Sequence, residues 1–229
     1  LLLILILTSK ILTSKDFISF YHTTMTLIPK IHRYLAVSMI LACGIFSACR
    51  QPSDGSTPTA EFSTSGTTVT VKNLNADSED RFTLLSLENQ MIIPNSDSAT
   101  AKWDIGFRKT TIIVNGGKIR VGQGGMLRLT NQTYDALKEA PASGYRVDDA
   151  EDNLALTAKS GEGWYLYTGT TIVPIRDLVL VVRTADGTKY AKLEMQSYYK
   201  DGVTPSITAQ TRYYGFRYQL QTNGTRQFQ

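Results

Sequence analysis

Histidine and cysteine, the side chains best suited to acid–base, nucleophilic and transition-metal chemistry near neutral pH, all lie in the first 49 residues, as His22, His32, Cys43 and Cys49. Nothing after Cys49 can supply a Ser/His or Cys/His nucleophilic pair, or a zinc centre with His or Cys ligands. Carboxylate pairs remain, yet Asp104, Asp177 and Asp186 fall at strand edges and turns that need no catalytic explanation. The acidic run Asp148-Asp149-Ala150-Glu151-Asp152 lacks the Asp-x-Asp-x-Asp-Gly spacing of a calcium loop and reads as a solvated turn. Gly122-Gln123-Gly124-Gly125 lacks the Lys-Ser/Thr ending of a phosphate loop, and no long helix follows it. These features point away from an enzyme.

A binding surface is a different matter. Gly161-Glu162-Gly163 leads into Trp164-Tyr165-Leu166-Tyr167 and the hydroxyl-rich Thr168-Gly169-Thr170-Thr171. The stretch reads either as a strand whose aromatics divide between core and surface, or as a ligand face.

The elements that must position these residues are strands. Trp103, Ile105 and Phe107 alternate with Asp104, Gly106 and Arg108, and Thr110–Val114 is β-branched throughout. Asn115-Gly116-Gly117 offers the positive-φ residues of a tight reversal, and the glycines at 122, 124 and 125 let the backbone approach something closely. Further strands are expected at Thr68–Val71, Phe82–Leu87, Met91–Ile93 and Met126–Leu129. The continuous apolar run Leu178–Val182 suits a strand covered on both faces. Asp186-Gly187 then turns the chain into a strand with Ala191, Leu193 and Met195 on one face and Lys192, Glu194 and Gln196 on the other. In the last strand Tyr214, Phe216, Tyr218 and Leu220 share a face, and the tail after Thr222 looks frayed. Thr133–Glu139, bounded by Pro141 and Gly144, is the one good helical candidate. The expected fold is all-β, mostly antiparallel, with at most one or two short helices.

The N-terminal part reads as a leader. The first Met is Met25, and residues 1–24 look like an upstream extension of the reading frame. Residues 25–48 carry basic Lys30 and Arg33, an apolar Tyr34–Phe46 segment and then small residues, the layout of a secretory signal. Phe46-Ser47-Ala48-Cys49 resembles a bacterial lipobox, which implies acylation of Cys49 as the mature N-terminus. Residues 49–68, rich in Ser, Thr, Pro and Gly, read as a flexible tether, and 69–229 as one β domain. Of the 24 basic and 20 acidic residues, only Lys10, Lys15, Lys30, Arg33 and Asp16 precede Cys49, leaving 20 against 19. The basic footprint suggested by a pI of about 9.0 disappears with the leader, and nucleic acid is not an expected partner.

Trp103-Asp104-Ile105-Gly106-Phe107-Arg108, Val114-Asn115-Gly116-Gly117, Gly122-Gln123-Gly124-Gly125, Arg183-Thr184-Ala185-Asp186-Gly187, Tyr190-Ala191-Lys192-Leu193 and Ser197-Tyr198-Tyr199 together resemble the HmuY family. The resemblance runs from Phe82 to Leu220 and implies a hand-like all-β fold. It also implies a haem-binding lipoprotein at the outer membrane or cell surface that passes haem or a related porphyrin to a TonB-dependent outer-membrane receptor. The family's axial ligands are two histidines, or methionines in some relatives. Their positions would fall between Asp149 and Gly161 and near Thr168-Gly169-Thr170, where this chain has neither His nor Met.

Haem iron takes His, Cys, Met or Tyr, so Met91, Met126, Met195 and tyrosines remain. Met195 shares a face with Ala191 and Leu193, and Met91 sits in an apolar run, so both are expected in the core. Met126, beside the glycine loop, and Tyr165 or Tyr167, beside the empty ligand position, are the accessible candidates, with packing as their competing role. The expected ligand face is Met126, Tyr165, Tyr167, Thr168 and Thr170, with Met126 or Tyr167 as a possible iron ligand. The alternative is a non-haem module on the same scaffold, recognising a glycan, peptide or receptor partner through the aromatic, hydroxyl-rich stretch. Whether the protein faces outward or into the periplasm is left open by Arg50-Gln51-Pro52-Ser53-Asp54, which is no clear acidic export tag.

Overall fold

Among the described residues, period-two burial organises ten of twelve strands into two packed sheets, and the other two form a hairpin of their own. The computed structural model describes residues 59–228, which belong to one compact unit. The expected leader, Cys49 and most of the tether fall outside them. The strands are β1 (Glu61–Ser65), β2 (Thr68–Asn75), β3 (Thr83–Ser86), β4 (Met91–Ile93), β5 (Ile105–Arg108), β6 (Thr111–Val114), β7 (Gly125–Thr130), β8 (Tyr165–Tyr167), β9 (Ile172–Pro174), β10 (Leu178–Arg183), β11 (Tyr190–Tyr199) and β12 (Thr211–Gln221). A six-stranded sheet runs β1-β2-β12-β11-β10-β7, a four-stranded sheet β4-β3-β5-β6, and β8-β9 form a separate hairpin. Every pairing is antiparallel. Among the described residues the only helical pieces are 3-10 turns at Asn95–Asp97 and Lys200–Gly202. The all-β expectation holds.

The main core lies between the two sheets. Val71 and Leu74 of β2, Leu180 and Val182 of β10, Leu193 of β11, and Tyr214, Phe216 and Tyr218 of β12 meet Leu85, Ile105, Phe107, Ile112 and Val114 of the smaller sheet. Alternation sends the intervening residues outward to two further clusters. Val179 and Val181 pack with Tyr134, Leu137, Ala140 and Phe228, while Leu84 and Ile113 pack with Ile93 and Trp103. β10 is thus covered on both faces, as its apolar run requires. Trp103, expected beside Ile105 and Phe107, packs in the other cluster. It precedes β5, so the ladder's alternation does not bind it, and its Nε1 donates to Ser98 O at 2.9 Å.

Long-range contacts override several other local expectations. Thr133–Glu139 closes one helix-type bond, Leu137 N to Thr133 O at 3.3 Å, but is not a helix, because other carbonyls in it find partners elsewhere. Lys192 Nζ donates to Tyr134 O and Leu137 O at 2.9 Å each, and Phe228 N donates to Lys138 O. Lys192, expected on the outer face of β11, is therefore only 4% exposed. The same contacts order the tail expected to fray, with Phe228 buried. At the other end, β1 lies within the expected tether. It is a mostly exposed edge strand, held by its ladder to β2 and by Phe62 against the core. The β5–β6 reversal occurs at Lys109-Thr110, with Lys109 at φ +51°, and not at Asn115-Gly116-Gly117.

Candidate functional site

Asn115-Gly116-Gly117 and Gly122–Gly125 do approach something closely, namely each other. A β-carbon on Gly116 would lie 2.0 Å from Gly124 O, and one on Gly122 or Gly124 would lie 2.3 or 2.7 Å from Asn115 O. Asn115, fully buried, locks the crossing: its Nδ2 donates to Thr100 O and Trp103 O, and its Oδ1 accepts from Gly122 N. The glycine loop is backbone packed on backbone, with no room for a phosphate.

The carboxylates beside it are structural pins. Asp104, 7% exposed, accepts from Leu87 N and Ala185 N at 2.8 Å each, tying the β3–β4 turn to the β10–β11 turn. Asp148 was expected in a solvated turn. It is instead fully buried, because its carboxylate accepts from Val114 N and Ala155 N and lies 3.5 Å from Arg120 Nε. Burial raises the pKa of both carboxyls above the usual 3.8, opposed in each case by the backbone N–H donors. Among the described residues no group of three or more His, Cys, Asp or Glu side chains could hold a metal ion.

Met126 cannot serve as a ligand at the surface. It is 1% exposed, pairs with Val182 in the ladder and belongs to the main core, because β7 turns it inward. Tyr165 is also buried, with its hydroxyl donating to Ala158 O. Met195 is buried as expected, but Met91 is half-exposed on edge strand β4.

The β8–β9 hairpin divides its aromatics between core and solvent. Trp164 is fully buried among Tyr165, Tyr198 and Tyr214, and its Nε1 donates to Thr110 O at 2.8 Å. Arg128 anchors the hairpin's base, donating to Gly163 O and Gly161 O. Beyond this anchored root, Leu166 and Tyr167 are exposed, at 45% and 57%. The tip closes on itself, with Thr168 Oγ1 2.9 Å from Thr171 Oγ1 and the Tyr167 hydroxyl donating to Gly169 O. Thr168 and Thr170 are exposed there. The tertiary structure also brings Ser160 against the hairpin, its Oγ accepting from Tyr167 N at 2.7 Å.

A second projecting element was not anticipated from the sequence. The β11–β12 connection carries Val203 and Ile207, 46% and 79% exposed. Two apolar residues in a Thr/Pro/Ser stretch give no periodic signal. It is tied to the hairpin through Tyr199, at the end of β11, whose hydroxyl accepts from Ile172 N at 2.9 Å, and Ala209, like Ile172 and Ile175, packs against the main core. Tyr213 flanks the connection, with its hydroxyl accepting from Gln210 Nε2 and Lys200 Nζ 5.5 Å from its ring. The hairpin and the β11–β12 connection are thus two projections linked through Tyr199, each with exposed apolar side chains. A separate cleft of about 90 Å³, lined by Thr67, Gln219, Gln221 and Phe228 among others, shares no residue with them.

The family described as HmuY protein matches residues 78–218. The chain belongs to the HmuY family. Its match covers β3 through most of β12, including the glycine crossing, the β8–β9 hairpin and the β11–β12 connection. No curated protein matches the chain. HmuY proteins form a haem-binding, non-enzymatic family.

Proposed function

We propose that this HmuY-family protein is a lipid-anchored envelope protein that binds haem or a related porphyrin and hands it to an outer-membrane receptor. Family membership over residues 78–218 carries the reading. The β8–β9 hairpin and the β11–β12 connection supply the grip. Leu166, Tyr167, Val203 and Ile207 give apolar surface for a flat macrocycle, and the hydroxyls of Thr168 and Thr170 are available to its propionates.

The segment between Asp149 and Gly161 and the tip near Thr168-Gly169-Thr170 are where the family's axial ligands would fall, and the Ser160–Tyr167 hydrogen bond joins the end of the first to the hairpin. Neither holds a histidine or methionine, so Tyr167 is the side chain that would reach iron. Acylation of Cys49 would anchor the domain, with receptor and membrane as its partners. A non-haem ligand is the second reading, supported by the same aromatic and hydroxyl groups, which equally suit a glycan or peptide.

Titrating the domain from Ser53 onward with ferric and ferrous haem tests the first reading. A shifted Soret band at micromolar protein is expected, and a band identical to free haem overturns it. Tyr167→Phe should move the ferric spectrum if the phenolate ligates iron while leaving binding of metal-free protoporphyrin unchanged. An unmoved ferric spectrum removes Tyr167 as the ligand. Glycan-array binding without a haem response would establish the second reading instead.

A further inference from the structure

Of the two projections, the β11–β12 connection has the less obvious foundation, since its residues from Asp201 to Thr208 are all exposed. Its base is held by a residue 128 positions away. Asn73 Nδ2 donates to Asp201 Oδ1 at 2.8 Å, and Asp201 N donates back to Asn73 Oδ1 at 2.7 Å. The same Nδ2 also donates to Glu61 Oε1 at 3.0 Å, joining edge strand β1 to the arrangement.

The backbone is shaped to allow this. Between β2 and β12 the register passes from Leu74↔Tyr214 to Val71↔Phe216, so Lys72 and Asn73 oppose the single Gly215. Asn73 takes φ +54°, a left-handed conformation that asparagine tolerates better than most residues. Such a bulge re-aims a side chain, and here it points along the sheet end to the start of the connection. Asp201 and Gly202 also have positive φ, at +58° and +64°, and together they turn the chain out of β11 toward Val203 and Ile207.

We infer that Asn73 is a positioning residue for ligand capture: its two-way clasp on Asp201 sets the angle at which the β11–β12 connection faces the β8–β9 hairpin. The inference rests on the proposed haem reading for what is captured. The clasp itself is tested without ligand. Asn73→Gly removes the side chain while keeping the left-handed backbone accessible, so the bulge and the fold survive. Asn73→Asp keeps the size but sets a third carboxylate against Asp201 and Glu61.

In hydrogen exchange on the haem-free domain, both variants should raise exchange at Asp201–Gln210 by roughly tenfold, the scale of losing one or two exposed hydrogen bonds. Exchange at β10 and at the centre of β11 should stay unchanged. In haem titrations both variants should weaken binding several-fold, with the bound Soret position retained because no iron ligand is altered. Unchanged exchange in Asn73→Gly overturns the clasp. Faster exchange with wild-type haem affinity overturns its role in capture. If wild-type protein shows no haem response, the haem reading fails, and unchanged exchange remains the outcome that refutes the clasp.

Discussion

Replacing Asp104 with Asn probes how the two sheets are joined. Each carboxylate oxygen accepts one backbone N–H at 2.8 Å, from Leu87 on one side and Ala185 on the other. An asparagine keeps one acceptor and turns an NH2 group toward the second N–H, leaving two donors face to face in a buried site. At about 1–3 kcal/mol for each buried unsatisfied group, partly offset by removing a buried charge, the net loss should be about 2–3 kcal/mol. A protonated carboxyl is a gentler change, because its hydroxyl oxygen retains lone pairs that can accept. The sign of the pH dependence follows from burial, which raises the native pKa of Asp104 above 3.8. Its contribution is full below the unfolded pKa and is lost as pH rises through the native one. The gap between wild type and Asp104→Asn should therefore widen as pH falls from 7 toward 4. Asp148 is shared by both proteins and cancels in that difference. Urea unfolding followed by tryptophan fluorescence suits the measurement, since Trp103 and Trp164 are both buried. A loss below about 0.5 kcal/mol would refute the pin. A gap that narrows on acidification would show that the N–H donors outweigh burial and hold the native pKa down.

Two further substitutions test the scaffold. Gly116→Ala puts a β-carbon 2.0 Å from Gly124 O, a clash with backbone that cannot rotate away, and should cost about 3 kcal/mol or more. Gly169→Ala, with φ +94° but nothing within 4 Å, should cost only about 1–2 kcal/mol in the same urea experiment. Equal losses would mean that conformational freedom, not the backbone crossing, explains the glycines. Lys192→Met keeps the stem's packing but strips Tyr134 O and Leu137 O of their donor, so it should cost about 2 kcal/mol. Hydrogen exchange should rise at residues 134–140 and at Phe228; protection unchanged there would show that Lys192 does not hold the layer.

Local sequence was a reliable guide where side-chain alternation alone sets burial. The strand at Thr68–Val71 and the strand carrying Ala191, Leu193 and Met195 were legible from period two, and Leu178–Val182 from its continuous apolar run; Lys192 is the residue whose burial alternation did not give. The motifs shared with the HmuY family proved to be scaffold: Asp104, Asn115 and the glycines at 116, 122 and 124 sit at the crossing. The candidate ligand face was less legible. Met126 looked accessible because a glycine loop precedes it, but strand polarity in β7 sends it into the core. Tyr165 and Tyr167 are two residues apart yet differ in burial, because Tyr165 joins the Trp164 cluster while Tyr167 lies beyond the anchored root.

By itself the sequence determined the all-β class, the alternating core and the absence of histidine and cysteine after Cys49, because these depend on residue type and local period. Only the tertiary structure decided which partners the backbone would find. Lys192 takes the Tyr134 carbonyl that a helix at Thr133–Glu139 would have used, together with that of Leu137, Phe228 closes that layer from the chain's end, and Asn73 reaches Asp201 across 128 residues. Each is a hydrogen bond between segments remote in sequence, and its donor and acceptor carry no local mark of the pairing. The same holds for the β11–β12 connection, which carries exposed Val203 and Ile207 and whose start is hydrogen-bonded to Asn73 of β2, while Tyr199 at the end of β11 accepts from Ile172 of the β8–β9 hairpin.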